Sequence, residues 1–392
     1  MRLILFTAKL NSYVLLVNIL TLDACVLLLN VGFETRVSRV TTFSFGGSMK
    51  VERYAENPLI TPADIPPSRP DFEVIGVFNA AATRYGNEII LLLRVAERAV
   101  GSPGMARVPV FTEGLGIEIL EFDKADPNYD FRDPRVIYGL GQPLLTSISH
   151  LSIARSRDGR KFTIDPEPAI VADRASEMYG VEDPRITEIE GTYYIAYKSV
   201  SPIGVCASLA VTRDFVHFEK KGIMFSPENL DVCIFPEKVG GRYVALHRPV
   251  PRFLGGLNTW LAFSNDLLLW GDHCFLMGMM PGGWDSGRTG GGAIPIKTER
   301  GWLEIYHGAT PDDHYCLGAV LLDLDDPRKV IARGKEPILK PEASYETSGF
   351  MPNVVFTCGA VTDGDRLSIY YGAADEVIAG VDMSINEILE SL

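Results

Sequence analysis

From residue 87 onward, short apolar runs alternate with turn residues, and the runs share one plan. A Gly or Asn opens each unit, one or two residues follow, and a run rich in β-branched and aromatic residues comes next. The units are 87–94, 191–198, 241–248, 301–308 and 364–371. Each reads as a turn followed by a buried strand. A second unit falls between them. It runs Ser156-Arg157-Asp158-Gly159 ahead of Phe162, Thr212-Arg213-Asp214-Phe215 ahead of Phe218, and Ser264-Asn265-Asp266-Leu267 ahead of Trp270. Its Asp can cap its own turn while the aromatic packs between sheets. Five strand units, spaced mostly by 50–65 residues, predict an all-β chain folded as a five-bladed β-propeller with four strands per blade. A Greek-key sandwich would not explain one motif recurring five times. The only stretch with a helical pattern is the C-terminal 385–392.

The repeat aligns polar residues. The seventh position after each opening residue is Arg94, Lys198, Arg248, Gly308 or Tyr371, with His247 and His307 one earlier in two units. Equivalent positions in a propeller surround one axis, so these cations and imidazoles are expected as a ring at the channel mouth. Eight positions before the opening residue stand Asn79 in the first unit and Asp183 in the second. A carboxylate among Arg, Lys and His is a way to hold an anionic substrate beside an acid catalyst. Each of these residues also has a plain structural reading, as a strand-end ion pair or a turn. Asp-Pro-Arg occurs twice, at 133–135 and 183–185, and one copy is expected to be structural. Glu182 should face away from Asp183 if the strand is regular. The run Gly287-Arg288-Thr289-Gly290-Gly291-Gly292 lacks a Walker lysine and a following helix. It reads instead as a loop bringing Arg288 and backbone N–H groups toward a small anion.

The domain organisation follows. Residues 49–392 form a single propeller domain. Residues 1–48 read as an N-terminal extension outside the fold, with Met49-Lys50-Val51 as the natural opening of the domain. The stretch 13–33 is largely apolar but is interrupted by Asn18, Asp23 and Asn30. One Asp near the centre of a membrane span costs about 2.5–3.5 kcal/mol. A signal peptide is the other reading, although no clean small-x-small site precedes Gly46-Gly47-Ser48.

Charge and cysteines narrow the partners. The net charge is −13, so no basic surplus is present to release counterions from a nucleic acid. The six cysteines form no C-x-x-C pair and no zinc-ligand spacing. They read as buried free thiols in a reducing, cytoplasmic compartment. No metal or cofactor is implied, a membrane partner is not expected, and a homo-oligomer stays open.

Taken together, the motifs resemble glycoside hydrolase family 130, the mannoside phosphorylases and related β-mannosidases. The resemblance runs from about Asn57 to Asp375. It rests on Phe78-Asn79-Ala80-Ala81, Glu182-Asp183-Pro184-Arg185, Phe235-Pro236-Glu237-Lys238, Leu246-His247-Arg248-Pro249, residues 302–308, and Tyr370-Tyr371-Gly372-Ala373-Ala374-Asp375. The resemblance implies a five-bladed β-propeller with a central active-site pocket, and inverting phosphorolysis of a β-1,2- or β-1,4-linked mannooligosaccharide to α-mannose 1-phosphate, with inorganic phosphate as co-substrate. Asp183 takes the place of the general acid, passing its proton through the sugar 3-hydroxyl. Asn79, Arg94 and Asp375 take the mannose-binding places. Arg248, Arg288 and His307 take the phosphate-binding places. Ser147-Ile148-Ser149-His150-Leu151 is similar to the oligosaccharide-acting branch.

One position departs from the family pattern. Leu230 stands in Asn229-Leu230-Asp231 where a cation is usual, which could weaken phosphate binding by about 1.5–3 kcal/mol. Two alternatives follow. One is a β-mannosidase using water, with Asp231 or Glu237 as base, and secreted if the N-terminus is a signal. The other is a non-catalytic carbohydrate-binding propeller.

Overall fold

The computed structural model describes residues 6–10, 13–17, 49–139 and 141–392. The chain divides into Met1–Gly47 and Ser48–Leu392. In the first unit, strands Phe6–Leu10 and Tyr13–Val17 pair antiparallel. The rest of the apolar stretch 13–33, Cys25, and most of the expected extension 1–48 lie outside the described residues. No described helix is long and apolar enough to cross a membrane.

The second unit is the five-bladed β-propeller. Blade 1 runs from the axis outward as Phe72–Tyr85, Glu88–Ala99, Ile148–Ser156 and Thr163–Ile164. Blade 2 is Val181–Ile189, Thr192–Ser201, Gly204–Thr212 and Glu219–Phe225. Blade 3 is Asn229–Ile234, Tyr243–Pro249, Thr259–Ser264 and Trp270–Met277. Blade 4 has a broken inner edge, Arg288–Gly290 and Ile296–Thr298, followed by Gly301–Ala309, Tyr315–Leu322 and Val330–Arg333. Blade 5 is Val355–Asp363, Arg366–Ala373 and Val377–Ser384, and its outer strand comes from the other end of the domain. There Glu52–Arg53 pairs with Val377–Ser384, Arg53 opposite Val381. Arg53 is also bound by buried Glu346, Nε to Oε1 at 2.8 Å. The ring is therefore closed by hydrogen bonds between its two ends.

The repeated apolar run is the second strand of every blade. Its side chains alternate between the two faces of a sheet covered on both sides, so both sets are buried. Five apolar clusters fill the five gaps. Leu92, Ile153, Ile186 and Ile195 join blades 1 and 2, and Leu209, Ile234 and Ala245 join blades 2 and 3. Leu246, Trp302 and Val320 join blades 3 and 4, Ile305, Leu317 and Ile369 join blades 4 and 5, and Val77, Leu93 and Tyr370 close the ring. Burying one Leu or Ile side chain contributes about 1.5–3 kcal/mol, so each gap is held by several such terms. The C-terminal helix Ile385–Ser391 buries Ile388 and Leu389 against blades 4 and 5.

The Ser/Thr-x-Asp units are the expected turns. Asp158 Oδ1 accepts from the N–H groups of Arg160 and Lys161, Asp214 Oδ1 from Val216 and His217, and Asp266 Oδ1 from Leu268 and Leu269, all at 2.8–2.9 Å. Phe162, Phe218 and Trp270 pack into three of the clusters between blades. The long gap between the first two repeats has a separate cause. Residues 100–147 are inserted between the second and third strands of blade 1. They carry the hairpin Met105–Thr112/Gly116–Asp123 and the pair Val136–Ile137/Leu144–Leu145.

Candidate active site

Backbone bulges set the site. In blades 1, 2 and 3 the register between the first two strands slips after Phe78, Glu182 and Leu230. The next residue is Asn79, Asp183 or Asp231, with φ of 51°, 45° and 58°. Asn and Asp enter this left-handed region more readily than other residues with a side chain. A bulge also re-aims the side chain it carries. The residue types that tolerate the bend are therefore the polar ones that the axis displays.

The second strands complete five equivalent stations. Arg94 pairs with Phe78, Lys198 with Glu182, Arg248 with Leu230, Gly308 with Thr289 and Tyr371 with Thr357. The expected ring of cations thus occupies three stations of five. At the fourth, any side chain on Gly308 would run into Trp284 and Asp285. At the fifth, Tyr371 is fully buried and donates to Glu346 at 2.6 Å. The histidines one residue earlier turn away. His247 stacks on Phe225, and burial pushes its pKa down to about 3.

A cavity of about 350 Å³ opens at this point, lined by Asn79, Arg94, Asp183, Asp375, Arg248 and Arg288 among others. Six of the seven expected site residues are brought together there. His307 is the exception. It is 0% exposed and packs against Phe356 with the rings tilted by 43°, and its Nε2 lies 3.4 Å from Asp231 Oδ2. Both of its ring nitrogens lack a hydrogen-bond partner among the described residues. Burial lowers its pKa to about 4 against the pull of Asp231, so the ring is neutral. It backs the wall rather than lining it.

Asp183 is 2% exposed. Oδ1 accepts from Asn79 Nδ2 at 3.0 Å and Arg94 Nη1 at 3.2 Å, and Oδ2 pairs with Lys198. Burial pushes its pKa up, but Lys198 and Arg94 outweigh burial and hold the carboxyl well below its usual range. Glu182 corrects the expectation from a regular strand. The bulge turns both carboxylates toward Arg94, whose Nη2 reaches Glu182 Oε1 at 2.7 Å, and both line the cavity. Burial raises the pKa of Glu182 against the pull of Arg94. Arg94 is further fixed over the Phe78 ring at 4.6 Å and by Ser149 Oγ at 3.3 Å.

Asp375, with φ of 51°, projects from the turn after Arg366–Ala373 and makes no hydrogen bond or ion pair among the described residues. Burial lifts its pKa to about 6, opposed by Arg94 and aided by Asp183.

Across the cavity, Arg288 is gripped by Asp313 at 2.6 Å and the Tyr315 hydroxyl at 2.5 Å, while its buried Nε has no partner. Arg248 Nε donates to Asp231 Oδ2 at 2.7 Å, and its two Nη atoms make no hydrogen bond among the described residues. Arg248, Arg288 and Lys198 line the same cavity, and each is paired with one carboxylate, Asp231, Asp313 and Asp183 respectively.

Beneath the cavity, fully buried Arg185 ties the blades together. It donates to Asp183 O at 3.1 Å, Asp231 Oδ1 at 3.2 Å and Gly291 O at 2.8 Å. This corrects the reading of the glycine run. Gly291 and Gly292 offer carbonyls to Arg185, and Gly292 N–H donates to Glu304. Only Arg288 reaches the cavity. Gly290 is required by close approach, since a Cβ there would lie 2.6 Å from Asp231 Oδ2. Glu237 is not part of the site; it pairs with Lys297 on the exposed surface. Asp231 is already spoken for by Arg185 and Arg248.

Sequence reasoning gave Lys198 no role beyond the ring and passed over Tyr315 and Phe356. Asp231 lies ten residues before its repeat rather than eight, because the turn in blade 3 is longer. Its signal was the Asn/Asp shared with positions 79 and 183.

The family model described as beta-1,4-mannooligosaccharide phosphorylase matches residues 134–392. The chain belongs to glycoside hydrolase family 130. Within that family it is 49% identical to a beta-1,2-mannobiose phosphorylase of Listeria innocua over 350 residues, covering 88% of this chain and 99% of the relative. It is 43% identical to a 1,2-beta-oligomannan phosphorylase of Thermoanaerobacter sp. over 246 residues, covering 62% of this chain and 80% of the relative. A solved structure of the Listeria innocua enzyme with beta-1,2-mannobiose superposes with a TM-score of 0.85 at 49% identity, covering 88% of this chain and 99% of that one. The expected family and the expected propeller are both borne out.

Proposed function

We propose that this family 130 chain is an inverting phosphorylase that splits β-1,2-linked mannooligosaccharides with inorganic phosphate. One observation carries the reading: a single cavity holds the carboxylates and amide of Asp183, Glu182, Asp375 and Asn79 together with the cations Arg248 and Arg288. The linkage comes from the beta-1,2-mannobiose phosphorylase at 49% identity.

Asn79, Arg94 and the unpartnered Asp375 hold the terminal mannosyl unit through its hydroxyls. Arg248 and Arg288 hold phosphate, with Lys198 beside them; His307 supports this wall by packing under Asp231. A phosphate oxygen attacks the anomeric carbon from the face opposite the glycosidic oxygen, and the C–O bond to the leaving sugar breaks. The leaving oxygen takes a proton that originates on Asp183 and passes through the mannosyl 3-hydroxyl. The products are α-mannose 1-phosphate and an oligosaccharide one unit shorter. Inversion needs room between acid and attacking group, and no covalent intermediate forms.

Lys198 and Arg94 hold Asp183 ionised. Phosphate bound beside Lys198 offsets that positive charge and lifts the Asp183 pKa. The acid is then loaded only when the anion is in place. Leu230 sits at the station of Arg248 without adding a charge, and three cations remain to bind the anion.

Incubation with β-1,2- and β-1,4-mannobiose, with and without phosphate, tests the reading. Phosphate-dependent α-mannose 1-phosphate from the β-1,2 disaccharide is expected. Mannose release without phosphate would make the chain a hydrolase, and no turnover would make it a binding protein.

A further inference from the structure

Asp375 lines the cavity but makes no hydrogen bond or ion pair among the described residues, so only the backbone that carries it fixes its place. That backbone is held from two sides. From blade 1, Val77 N–H donates to Glu376 O at 3.0 Å. From the other side, residues 346–354, which lead into blade 5, act as a brace. Ala374 N–H donates to Val354 O at 3.0 Å, and Met351 N–H donates to Ala374 O at 2.8 Å. The approach is close, since a Cβ on Gly349 would lie 2.6 Å from Ala374 Cβ.

The brace begins at Glu346. Its backbone carbonyl accepts from Val354 N–H at 3.1 Å, which folds the loop back on itself. Its side chain is fully buried. Arg53 donates to it through Nε to Oε1 at 2.8 Å and through Nη2 to Oε2 at 3.1 Å. Tyr371, on the strand that runs into the Asp375 turn, donates to Oε1 at 2.6 Å. The N–H groups of Glu342 and Ala343 donate to Oε2 at 2.7 and 2.9 Å. Burial alone would raise the Glu346 pKa, and these donors hold it below the ordinary carboxylate value instead. Arg53 belongs to the strand that closes the ring. One guanidinium therefore ties the first strand of the domain to the brace beside Asp375. Arg248 and Arg288 stand on blades 3 and 4, outside this path.

We propose that Arg53 and Glu346 are positioning residues for mannosyl recognition: the contact that closes the propeller also sets the place of Asp375. The inference rests on the reading that Asp375 holds the mannosyl unit. Without the guanidinium, Glu346 is a buried carboxylate short of its counter-charge. The loop relieves this by shifting toward water, and the Asp375 turn moves with it.

The test is calorimetric titration of the full chain with β-1,2-mannobiose and, separately, with inorganic phosphate, at a temperature where circular dichroism shows each variant folded. The variants are Arg53→Met, Arg53→Lys and Asp375→Ala, with each Arg53 change also made in the Asp375→Ala background. Arg53→Met should weaken mannobiose by roughly tenfold, the size of one charged hydrogen bond, and leave phosphate affinity unchanged. Arg53→Lys keeps the charge without the fork and should fall between; it carries every comparison if Arg53→Met does not fold. In the Asp375→Ala background, neither Arg53 change should cost further affinity, because the group it positions is gone. Unchanged mannobiose affinity in the Arg53 variants, additive losses in the double variants, or equal weakening of mannobiose and phosphate would overturn the positioning role and leave Arg53 as a ring clasp alone. Unchanged mannobiose affinity in Asp375→Ala would overturn the reading of Asp375 as a sugar contact, and the inference with it.

Discussion

Replacing Asp183 by Asn separates acid catalysis from mere architecture. The side chain keeps its shape, and Oδ1 can still face Asn79 and Arg94. The charge paired with Lys198 is lost, and an amide N–H then faces an ammonium. A charged hydrogen bond of this kind is worth about 1.5–3 kcal/mol. Arg94 retains Glu182 at 2.7 Å, so the loss of stability should stay within that range. The loss of rate should be larger. A positioned general acid contributes roughly a hundredfold to ten-thousandfold, equivalent to about 2.7–5.4 kcal/mol of barrier. The decisive assay compares kcat/KM for β-1,2-mannobiose with that for β-mannosyl fluoride, at saturating phosphate. Fluoride departs without a proton, so the variant should lose less than about tenfold on the fluoride while losing the full factor on the disaccharide. An equal loss on both substrates would refute the proton-donor role and leave Asp183 as an organiser of Lys198 and Arg94.

Two further outcomes follow from the same geometry. Arg288→Met should raise the KM for phosphate by roughly tenfold to a hundredfold, from one lost charged hydrogen bond, while the KM for mannobiose changes little; steady-state kinetics with either substrate varied would read this, and a fall in kcat alone would count against a phosphate contact. Asp375, held up at about 6, ionises at a cost to the fold above that pH, and the cost disappears as pH falls toward the ordinary carboxylate range near about 3.9. Asp375→Asn mimics the neutral acid, so its melting temperature should exceed that of wild type at pH 8 and match it near pH 4; a difference independent of pH would contradict the raised pKa.

Much of this protein was legible in its local pattern. Turn chemistry and strand alternation act over a few residues, so five copies of one apolar run opened by Gly or Asn were enough to specify five blades and to align Arg94, Lys198 and Arg248. The Ser/Thr-x-Asp turns were readable for the same reason, since each is closed by hydrogen bonds within three residues. What the sequence concealed depends on backbone direction and on neighbours far along the chain. Glu182 joins Asp183 in the cavity because a left-handed residue breaks the alternation that would have separated them. His307 is withdrawn behind Asp231 because Gly290 lets that carboxylate approach its ring. Glu237 is exposed although its motif lies near the site. The protonation of Asp183 was equally out of reach. Its motif names a carboxyl, but the bulge in blade 2 and the packing of blade 1 beside it set Lys198 and Arg94 against it at close range and out of bulk water, and that proximity decides its charge.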